Sequence, residues 1–311
     1  MKKILAIILA IVANPVLAQS WPNQQVRVIV PSAVGSGPDL QARYIADRLK
    51  TRWNQNVLVE NIPGPSGIAG VAEFVKNRGN NHVLLHTFFS TVVSNDFLIR
   101  NMPYNYRTDL EPVIQISDVE MIWSVPANSP INSIQDLIAV SRTRDVFAAV
   151  TSKWVAQHTA LELLNLQANT SITPVLHKSA PLAATTLLSG SVDVLIDTVS
   201  TSSSYAKSGR SRVIAVSTPR RSAQWPQVPT VGETLPGYAL APWNAMFAHS
   251  GTGRDIIQRI NRDVNEILAE GVPQTIFESV QGGSPEKLAQ QIERDRANFA
   301  RLVGKFKIQP E

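Results

Sequence analysis

"VRVIVPSAVGSGPDLQARYIADRL", from Val26 to Leu49, is the stretch of sequence that decides the fold. Its first five residues are almost all β-branched, which is typical of a strand, and Pro31 ends that run. A loop with two glycines follows, and apolar residues at helical spacing come after it. A strand, a glycine-containing loop and a helix N-terminus, in this order, form a layout that binds anions.

The loop after this strand lacks the residues that define a nucleotide site. It has Gly35 and Gly37 but no third glycine at the dinucleotide spacing, and no Gly-Lys-Ser/Thr as in a P-loop. We therefore predict no nucleotide and no other cofactor. Backbone N–H groups at a helix N-terminus can still face a small anion; Pro38 suits the first helical turn, and Asp39 can cap free N–H groups there. A plain strand-to-helix turn is the alternative.

Strand-like and helix-like patterns alternate along the rest of the chain, which predicts an α/β protein with parallel sheets and helices on both faces. The strand-like runs are Val26–Val30, Asn56–Glu60, Val83–His86, Met121–Val125, Val146–Val150, Val192–Ile196, Val213–Ser217 and Ala245–Ala248. The helix-like runs share apolar faces at Leu40, Ile45 and Leu49, at Val71 and Val75, and within Ile134–Ile138, Leu161–Leu166, Leu182–Leu188, Ile256–Leu268 and Leu288–Val303.

The 311-residue chain contains no Pro/Gly/Ser-rich linker that would divide it into sequential halves. A two-lobed α/β protein with crossing strands fits this pattern better than two consecutive domains. Open parallel sheets bind ligands at the carboxyl ends of their strands, so two such sheets facing each other would form a cleft there.

The first residues, "MKKILAIILAIVANPVLAQS", have the pattern of a secretory signal peptide. Two lysines precede an apolar run that is shorter than the ~20 residues of a transmembrane helix, and Val16-Leu17-Ala18 has a small-residue cleavage pattern. We predict cleavage after Ala18 and an exported, periplasmic protein. A retained membrane anchor is the alternative.

Composition excludes several classes of site. The chain has no cysteine, which excludes a lipoprotein anchor, disulfides, thiolate metal sites and a cysteine nucleophile. Its net charge of +5 includes no long basic run, which argues against nucleic-acid binding. His82 and His86 lie in a strand-like run with no further ligand nearby, so we predict no metal. Without a Gly-x-Ser-x-Gly motif or a base placed by sequence, we predict no catalytic residues.

A second strand–loop–helix pattern occurs in "VTSKWVAQHTALELL", from Val150 to Leu164. Its loop carries Thr151, Ser152, Lys153 and Trp154, and a pair of hydroxyls beside a cation suits a carboxylate ligand. A solvated lysine beside a half-buried tryptophan is the alternative.

Together, these stretches resemble the Bug-type extracytoplasmic solute receptors, which are the binding proteins of tripartite tricarboxylate transporters. The resemblance covers essentially the whole mature chain, with the matching stretches in family order. These stretches are "WPNQQVRVIVPSAVGSGPDLQAR" (21–43), "VENIPGPSGIAG" (59–70), "MPYNYRTDLEPV" (102–113), "SVDVLID" (191–197), "AKSGRSRVIAVSTPRRSAQWPQVPTVGE" (206–233) and the helix-like run 256–268.

The resemblance implies a type II periplasmic-binding (Venus-flytrap) fold, in which two lobes enclose a ligand cleft. After the signal peptide (1–18), lobe 1 would comprise 20–120 plus 246–311, and lobe 2 would comprise 121–245. Loops of both lobes would clasp a ligand carboxylate. The ligand-binding residues it implies are Ser32, Val34, Gly35, Ser36, Asp39, Phe88, Phe89, Ser90, Thr91, Thr151, Ser152, Lys153, Trp154, His158 and Asp197.

The chain departs from the usual family pattern at its predicted cleft. Small residues are usual where Phe88 and Phe89 stand, and a Gly/Ser-rich loop is usual where Lys153 and Trp154 stand. Ser36, Pro38 and Ile68 also replace the usual residues. These departures suggest either an aromatic carboxylate, stacked on the aromatic rings and paired with Lys153, or a filled pocket with weak transport function.

The resemblance implies a receptor, not an enzyme. It would close around a small organic acid and deliver it, as a monomer, to integral-membrane transporter subunits. A receptor that senses the ligand for a two-component kinase is one alternative, and an exported α/β hydrolase is another.

Overall fold

The computed structural model describes residues 21–151, 156–177, 179–238, 240–274, 276–307 and 309–310. The predicted signal peptide lies outside the described residues. So do Ser152, Lys153 and Trp154, three of the residues predicted in the second-lobe loop.

Strands and helices alternate through most of the described chain. The strands are β1 (Val26–Val30), β2 (Val57–Asn61), β3 (Val83–Phe88), β4 (Leu110–Asp118), β5 (Met121–Pro126), β6 (Phe147–Val150), β7 (Thr173–Leu176), β8 (Val194–Thr198), β9 (Ser211–Val216), β10 (Trp243–His249) and β11 (Ser279–Val280). The helices are α1 (Gly37–Trp53), α2 (Ile68–Lys76), α3 (Phe89–Val92), α4 (Asn95–Leu98), α5 (Tyr106–Asp109), α6 (Ile134–Ser141), α7 (Ala156–Ala168), α8 (Ala180–Leu188), α9 (Val199–Lys207), α10 (Val231–Thr234), α11 (Arg254–Ala269) and α12 (Pro285–Phe306).

Each predicted strand run overlaps an observed strand, and each predicted helix run lies within a helix. Three strands were missed. β4 includes Pro112 and several polar residues, which conceal its apolar alternation. β7 and β11 are edge strands of four and two residues, too short to show a strand pattern.

The strands form two sheets, one with six strands in the order β11-β4-β10-β3-β1-β2 and one with five in the order β7-β6-β8-β5-β9. The predicted parallel pairing holds for β1 with β2 and β3 and for β6 with β7 and β8, but not for the remaining pairs. β10 runs antiparallel to β3 and β4, and β5 runs antiparallel to β8 and β9. The antiparallel pairs involve the strands through which the chain passes from one sheet to the other, so their direction follows from the crossing.

Two neighbouring stretches of chain, which we call the crossing segments, connect the sheets: residues 118–120 and residues 240–243. The first joins β4 directly to β5, and the second leads into β10. The Val119 N–H donates a hydrogen bond to the Pro242 carbonyl at 2.6 Å, which ties the two segments together. The lobe boundary expected at 245–246 stays a prediction; residues Trp243 to Ala245 pair within the six-stranded sheet.

Helices cover both faces of the six-stranded sheet, as predicted. On β1, Val28 packs in one apolar cluster with Ile45 of α1, and Ile29 packs in another with Phe74 of α2. Leu40, predicted on the buried face of α1, is 39% exposed instead. It precedes Ile45 by five residues, which places it roughly 140° away around the helix.

The C-terminal helix α12 contacts elements of both sheets. It packs against β4 of the six-stranded sheet and against α7, which follows β6 of the five-stranded sheet. Its buried side chains recur at helical spacing, at Leu288, Ile292, Phe299 and Leu302. Burial of each such side chain contributes roughly 1.5–3 kcal/mol to stability, so α12 is held firmly against both β4 and α7.

Candidate functional site

The loop between β1 and α1 is organised by the carboxylate of Asp39. This buried group accepts hydrogen bonds from the Gly35 N–H at 2.8 Å, from Arg43 Nε at 2.9 Å and from Asn61 Nδ2 at 2.9 Å. Burial acts to raise the pKa of Asp39, but these donors outweigh it and hold the pKa below its ordinary value. These three hydrogen bonds make Asp39 the group that fixes the shape of the loop.

The tip of the same loop faces solvent. Gly35 has a φ of +82°, a left-handed conformation that favours glycine. Val34 is 73% exposed, and the hydroxyls of Ser32 and Ser36 lie 2.7 Å apart. The predicted ligand residues of this loop therefore lie outside the cavity described next.

A cavity of about 490 Å³ lies beside the crossing segments and is walled by elements of both sheets. Three of the predicted site residues, Phe88, Phe89 and Ser90, line it. Its full lining consists of Ser66, Phe88, Phe89, Ser90, Ser94, Asn95, Leu98, Val119, Ala156, Gln157, Thr159, Pro242 and Trp243. We call it the front cavity.

Aromatic side chains form one wall of the front cavity. The rings of Phe89 and Trp243 meet edge to face, with centroids 6.0 Å apart and planes at 73°. Phe88 is half-buried and its ring reaches Gly67, where an added Cβ would lie 2.8 Å from Phe88 Cζ. Gly67 also has a φ of +73°. A glycine at this position therefore adopts the left-handed conformation without strain and leaves room for the Phe88 ring.

The polar part of the wall is held by neighbouring hydrogen bonds. Asn95 Nδ2 donates to the Ser66 carbonyl at 3.0 Å, and Arg296 of α12 pairs with Asp96 at 2.9 Å. The Tyr104 hydroxyl donates to the Thr91 carbonyl at 2.8 Å. The short helix α4, which carries Asn95, is thereby fixed between the cavity and α12.

Thr91 supports the wall from behind. It is buried, its hydroxyl lies 2.8 Å from that of Thr87, and it donates to the Phe88 carbonyl at 2.7 Å. Thr91 is predicted as a ligand contact, but the structure places it in the core next to Phe88, where it stabilises the turn from β3 into α3.

The first turn of α7 supplies the wall on the side of the five-stranded sheet. Gln157 and Thr159 line the cavity, whereas His158 between them is buried with Nε2 3.5 Å from Glu162 Oε1. Thr151 is half-buried directly after β6 and is not among the lining residues. The predicted residue, His158, therefore contacts Glu162 along the helix and does not line the cavity, although both of its neighbours do.

Asp197 lies behind Gln157. Its buried carboxylate accepts from the Thr198 N–H at 2.8 Å, from Ser202 Oγ at 2.7 Å and from the Gln157 side chain. Burial raises the pKa of Asp197 in spite of these donors. Asp197 therefore orients a cavity-lining amide and is not itself in the cavity wall.

Sequence reasoning missed several residues of the wall. Trp243, Asn95 and Gln157 come from β10, α4 and α7, which are far apart in the chain. Gln157 stands next to the predicted His158, so the helix was predicted correctly but not the side that faces the cavity. No local pattern distinguishes Trp243 from a core tryptophan.

The described lining of the front cavity is neutral. None of its described lining residues is Lys, Arg, His, Asp or Glu. A bound carboxylate would therefore meet amides and hydroxyls, with the positive end of the α7 dipole on one side. Lys153, the predicted cation, lies outside the described residues.

Metal and membrane sites find no support in the described part of the chain. No group of three or more potential metal-ligating side chains occurs there, and His86 is fully buried, which lowers its pKa to about 4 and keeps it neutral. Within the same residues, no helix is both long enough and apolar enough to cross a membrane.

Comparison with known proteins decides the family. A family model described as "Tripartite tricarboxylate transporter family receptor" matches residues 41–292. The chain belongs to this family. A UPF0065 protein of Bordetella bronchiseptica is 32% identical over 98% of this chain and 92% of its own length. Protein BugT of Bordetella pertussis is 30% identical over 88% of this chain and 85% of its own length.

Solved structures agree with this family. The structure described as R. palustris Rpa4515 with adipate has a TM-score of 0.72 and 29% identity, over 94% of this chain and 100% of that one. A TctC solute binding protein from Polaromonas has a TM-score of 0.83 and 20% identity, over 92% of this chain and all of that one. The predicted periplasmic-binding fold and the resemblance to Bug-type receptors are confirmed. The family consists of periplasmic solute-binding receptors, not enzymes.

Proposed function

We propose that this member of the tripartite tricarboxylate receptor family captures a carboxylate with an aromatic body in the front cavity. The observation that carries the proposal is the composition of the cavity wall. Phe88 supplies half-buried aromatic surface beside the buried, mutually packed rings of Phe89 and Trp243, and no described lining side chain is charged. The R. palustris structure, with adipate, supports a carboxylate as the ligand class.

The size and chemistry of the cavity favour one carboxylate on an apolar body. A volume of about 490 Å³ is in the range of small-molecule sites. Aromatic pairs contribute about 0.5–1.5 kcal/mol beyond the burial of their area. A second carboxylate would have to be desolvated against rings and neutral groups, which is costly because the described lining supplies no cation. An aromatic monocarboxylate should therefore bind better than an aliphatic diacid.

We propose the rest of the receptor cycle by analogy with the family. The signal peptide would be removed after Ala18, and the mature chain would work as a monomer with lobe 1 at 20–120 plus 246–311 and lobe 2 at 121–245. Ligand would stabilise the closed arrangement of the lobes, and the closed receptor would dock on the membrane subunits of a tripartite transporter.

Thermal denaturation of the mature chain with benzoate, cyclohexanecarboxylate, adipate and malate tests this proposal. Benzoate and cyclohexanecarboxylate match in size and charge but differ in the aromatic face. We expect a concentration-dependent rise in Tm that is largest with benzoate. A larger rise with adipate or malate would show that the aromatic part is wrong. No rise with any of the four acids would contradict carboxylate capture in this cavity.

A further inference from the structure

A second cavity, of about 800 Å³, lies on the opposite side of the crossing segments. We call it the rear cavity. Val119 lines the front cavity, while its neighbours Asp118 and Glu120 line the rear one. Likewise, Pro242 lines the front cavity and Ala241 lines the rear one. Successive side chains of an extended chain point in opposite directions, so the crossing segments form a thin partition between the two cavities.

A chain of hydrogen bonds crosses the rear cavity. Arg220, which follows β9 of the five-stranded sheet, donates from Nη2 to Gln281 Oε1 at 3.0 Å. Gln281, which follows β11 of the six-stranded sheet, donates from Nε2 to Asp118 Oδ2 at 2.7 Å. Gln115 of β4 donates from Nε2 to Asp118 Oδ1 at 2.6 Å. The Asp118 carboxyl group thus lies where segments attached to the two sheets meet.

The surroundings of Asp118 contain more acidic groups close to it than basic ones. Glu120 on the same segment and Asp295 on α12 act to raise its pKa, and Arg220 acts to lower it. Glu120 also accepts a hydrogen bond from Ser222, and its N–H donates to Glu278 at 3.0 Å. Three further cations line the same cavity, namely Arg221 after β9 and Lys287 and Arg294 on α12.

Asp118 is only 7% exposed, and this burial, with Asp295 as the next contribution, raises its pKa to about 7. Burial also raises the pKa of Asp295 to about 6, although its carboxylate accepts the Trp243 indole N–H at 2.8 Å. Trp243 lines the front cavity. The acidic pair is therefore joined to the ligand-facing wall through a single side chain.

Rotation of the lobes about the crossing segments changes the widths of the two cavities in opposite directions. A rotation that narrows the front cavity separates the elements behind the axis, because points on opposite sides of a hinge axis move in opposite directions. The separation breaks the contact between Arg220 and Gln281 and admits water to Asp118. Burial contributes more to the pKa of Asp118 than Arg220 does, so the gain of water outweighs the loss of this cation and favours the ionised form.

We propose that Asp118 is a proton-linked switch of lobe closure, which releases its proton as the receptor closes around ligand. The proposal goes beyond carboxylate capture; it takes the present arrangement as the open one and rests on the closure of the two lobes. In the present arrangement Asp118 holds a proton up to about pH 7. In the closed arrangement its pKa returns towards the ordinary value near 4, so the proton is lost. The ratio of closed to open receptor, and with it ligand affinity, should rise about tenfold between pH 6 and pH 8.

The absence of cysteine permits a test without any ligand. Leu40→Cys and Leu182→Cys place spin labels on exposed positions in the first turns of α1 and α8, each of which follows a strand of a different sheet. Pulsed electron paramagnetic resonance at pH 6 and pH 8 then measures the distance across the cleft. We expect the ratio of the short-distance to the long-distance population to rise about tenfold.

Two variants of the labelled protein make this result specific. Asp118→Asn should give the same ratio at both pH values. Glu111→Gln, at the other end of β4, should keep the full change. A ratio that is independent of pH in the parent, or a change that survives in Asp118→Asn, would overturn the proposal.

Calorimetry with benzoate gives a second readout that depends on protons and not on label distances. Titrations at pH 7 in buffers of different ionisation enthalpy should show release of about half a proton per bound benzoate, because a group with a pKa near 7 is half protonated there. Asp118→Asn should release none. Binding without proton release in the parent would contradict the switch, while failure of benzoate to bind would contradict only the proposed ligand and leave the label experiment decisive.

Discussion

The front and rear cavities lie on either side of the same few residues and have opposite chemistry. The front cavity is lined by aromatic rings, amides and hydroxyls, whereas the rear cavity holds Asp118, Glu120 and Glu278 beside four basic side chains. A neutral wall can select the body of a ligand by shape and stacking. Buried carboxyl groups within a charged cluster respond to water and protons instead. The proposed ligand site and the proposed proton-linked switch thus lie on opposite sides of the same crossing segments.

Trp243→Ala should have the largest effect, because Trp243 lines the front cavity and also bonds Asp295 next to Asp118. Its ring is fully buried against Phe89, and its indole N–H is bonded to Asp295. We expect the free energy of unfolding, measured in urea, to fall by about 3–5 kcal/mol. Trp243→Phe, which keeps most of the ring but loses the N–H, should lose less. Equal losses in both variants would show that packing against Phe89 contributes little.

Asp118→Asn tests the rear cavity through stability. A carboxyl group whose pKa is raised on folding stabilises the folded state fully below its unfolded pKa near 4, and this stabilisation is lost as the pH rises through about 7. The wild-type protein should therefore lose stability between pH 5 and pH 8, and the variant should lose less. At pH 8 we expect the variant to be about 1–3 kcal/mol more stable in urea unfolding. A variant that is less stable at pH 8 would refute this account of Asp118.

Phe88→Ala tests the front cavity alone. Phe88 is half-buried and lines the cavity, so its removal should weaken benzoate binding about tenfold in calorimetry, with little change in the pH dependence of unfolding. Phe147→Ala, at an exposed phenylalanine on β6, is the matched control and should bind benzoate normally. A similar loss in both variants would remove the case for stacking on Phe88.

Gly67→Ala tests the Phe88 wall of the front cavity and should have a smaller effect. An alanine there takes a strained φ of +73° and meets Phe88 Cζ and Thr91 Cγ2 at 2.8 Å. Gly79→Ala has similar strain, with a φ of +86°, but no atom within 4 Å of the new Cβ. Each should lose about 1 kcal/mol of unfolding free energy from strain, and only Gly67→Ala should also weaken benzoate binding. Weaker binding in both would show that contact with Phe88 is not the cause.

Much of the fold could be predicted from the sequence, because strands such as β1 are short β-branched runs that end at proline or glycine. Strand direction could not. Whether β5 or β10 runs antiparallel depends on which sheet each enters after crossing, and neighbouring residues do not encode that choice.

The candidate site divides in the same way. Phe88, Phe89 and Ser90 were accessible to prediction because they follow a recognisable strand and match a family position. Trp243, Asn95 and Gln157 were not, because only the folded chain brings them to one wall. The hydrogen bonds from Arg220 to Gln281 and from Gln281 to Asp118 join residues 61 and 163 positions apart, and each residue on its own resembles an ordinary surface or loop residue.

Calorimetric comparison of benzoate and adipate on the mature protein tests the central claim, that the front cavity binds an aromatic monocarboxylate, most directly. The neutral, aromatic wall predicts that benzoate binds about tenfold more tightly than adipate, and that Phe88→Ala removes most of this preference. Tighter binding of adipate, or a preference for benzoate that Phe88→Ala leaves unchanged, would contradict it.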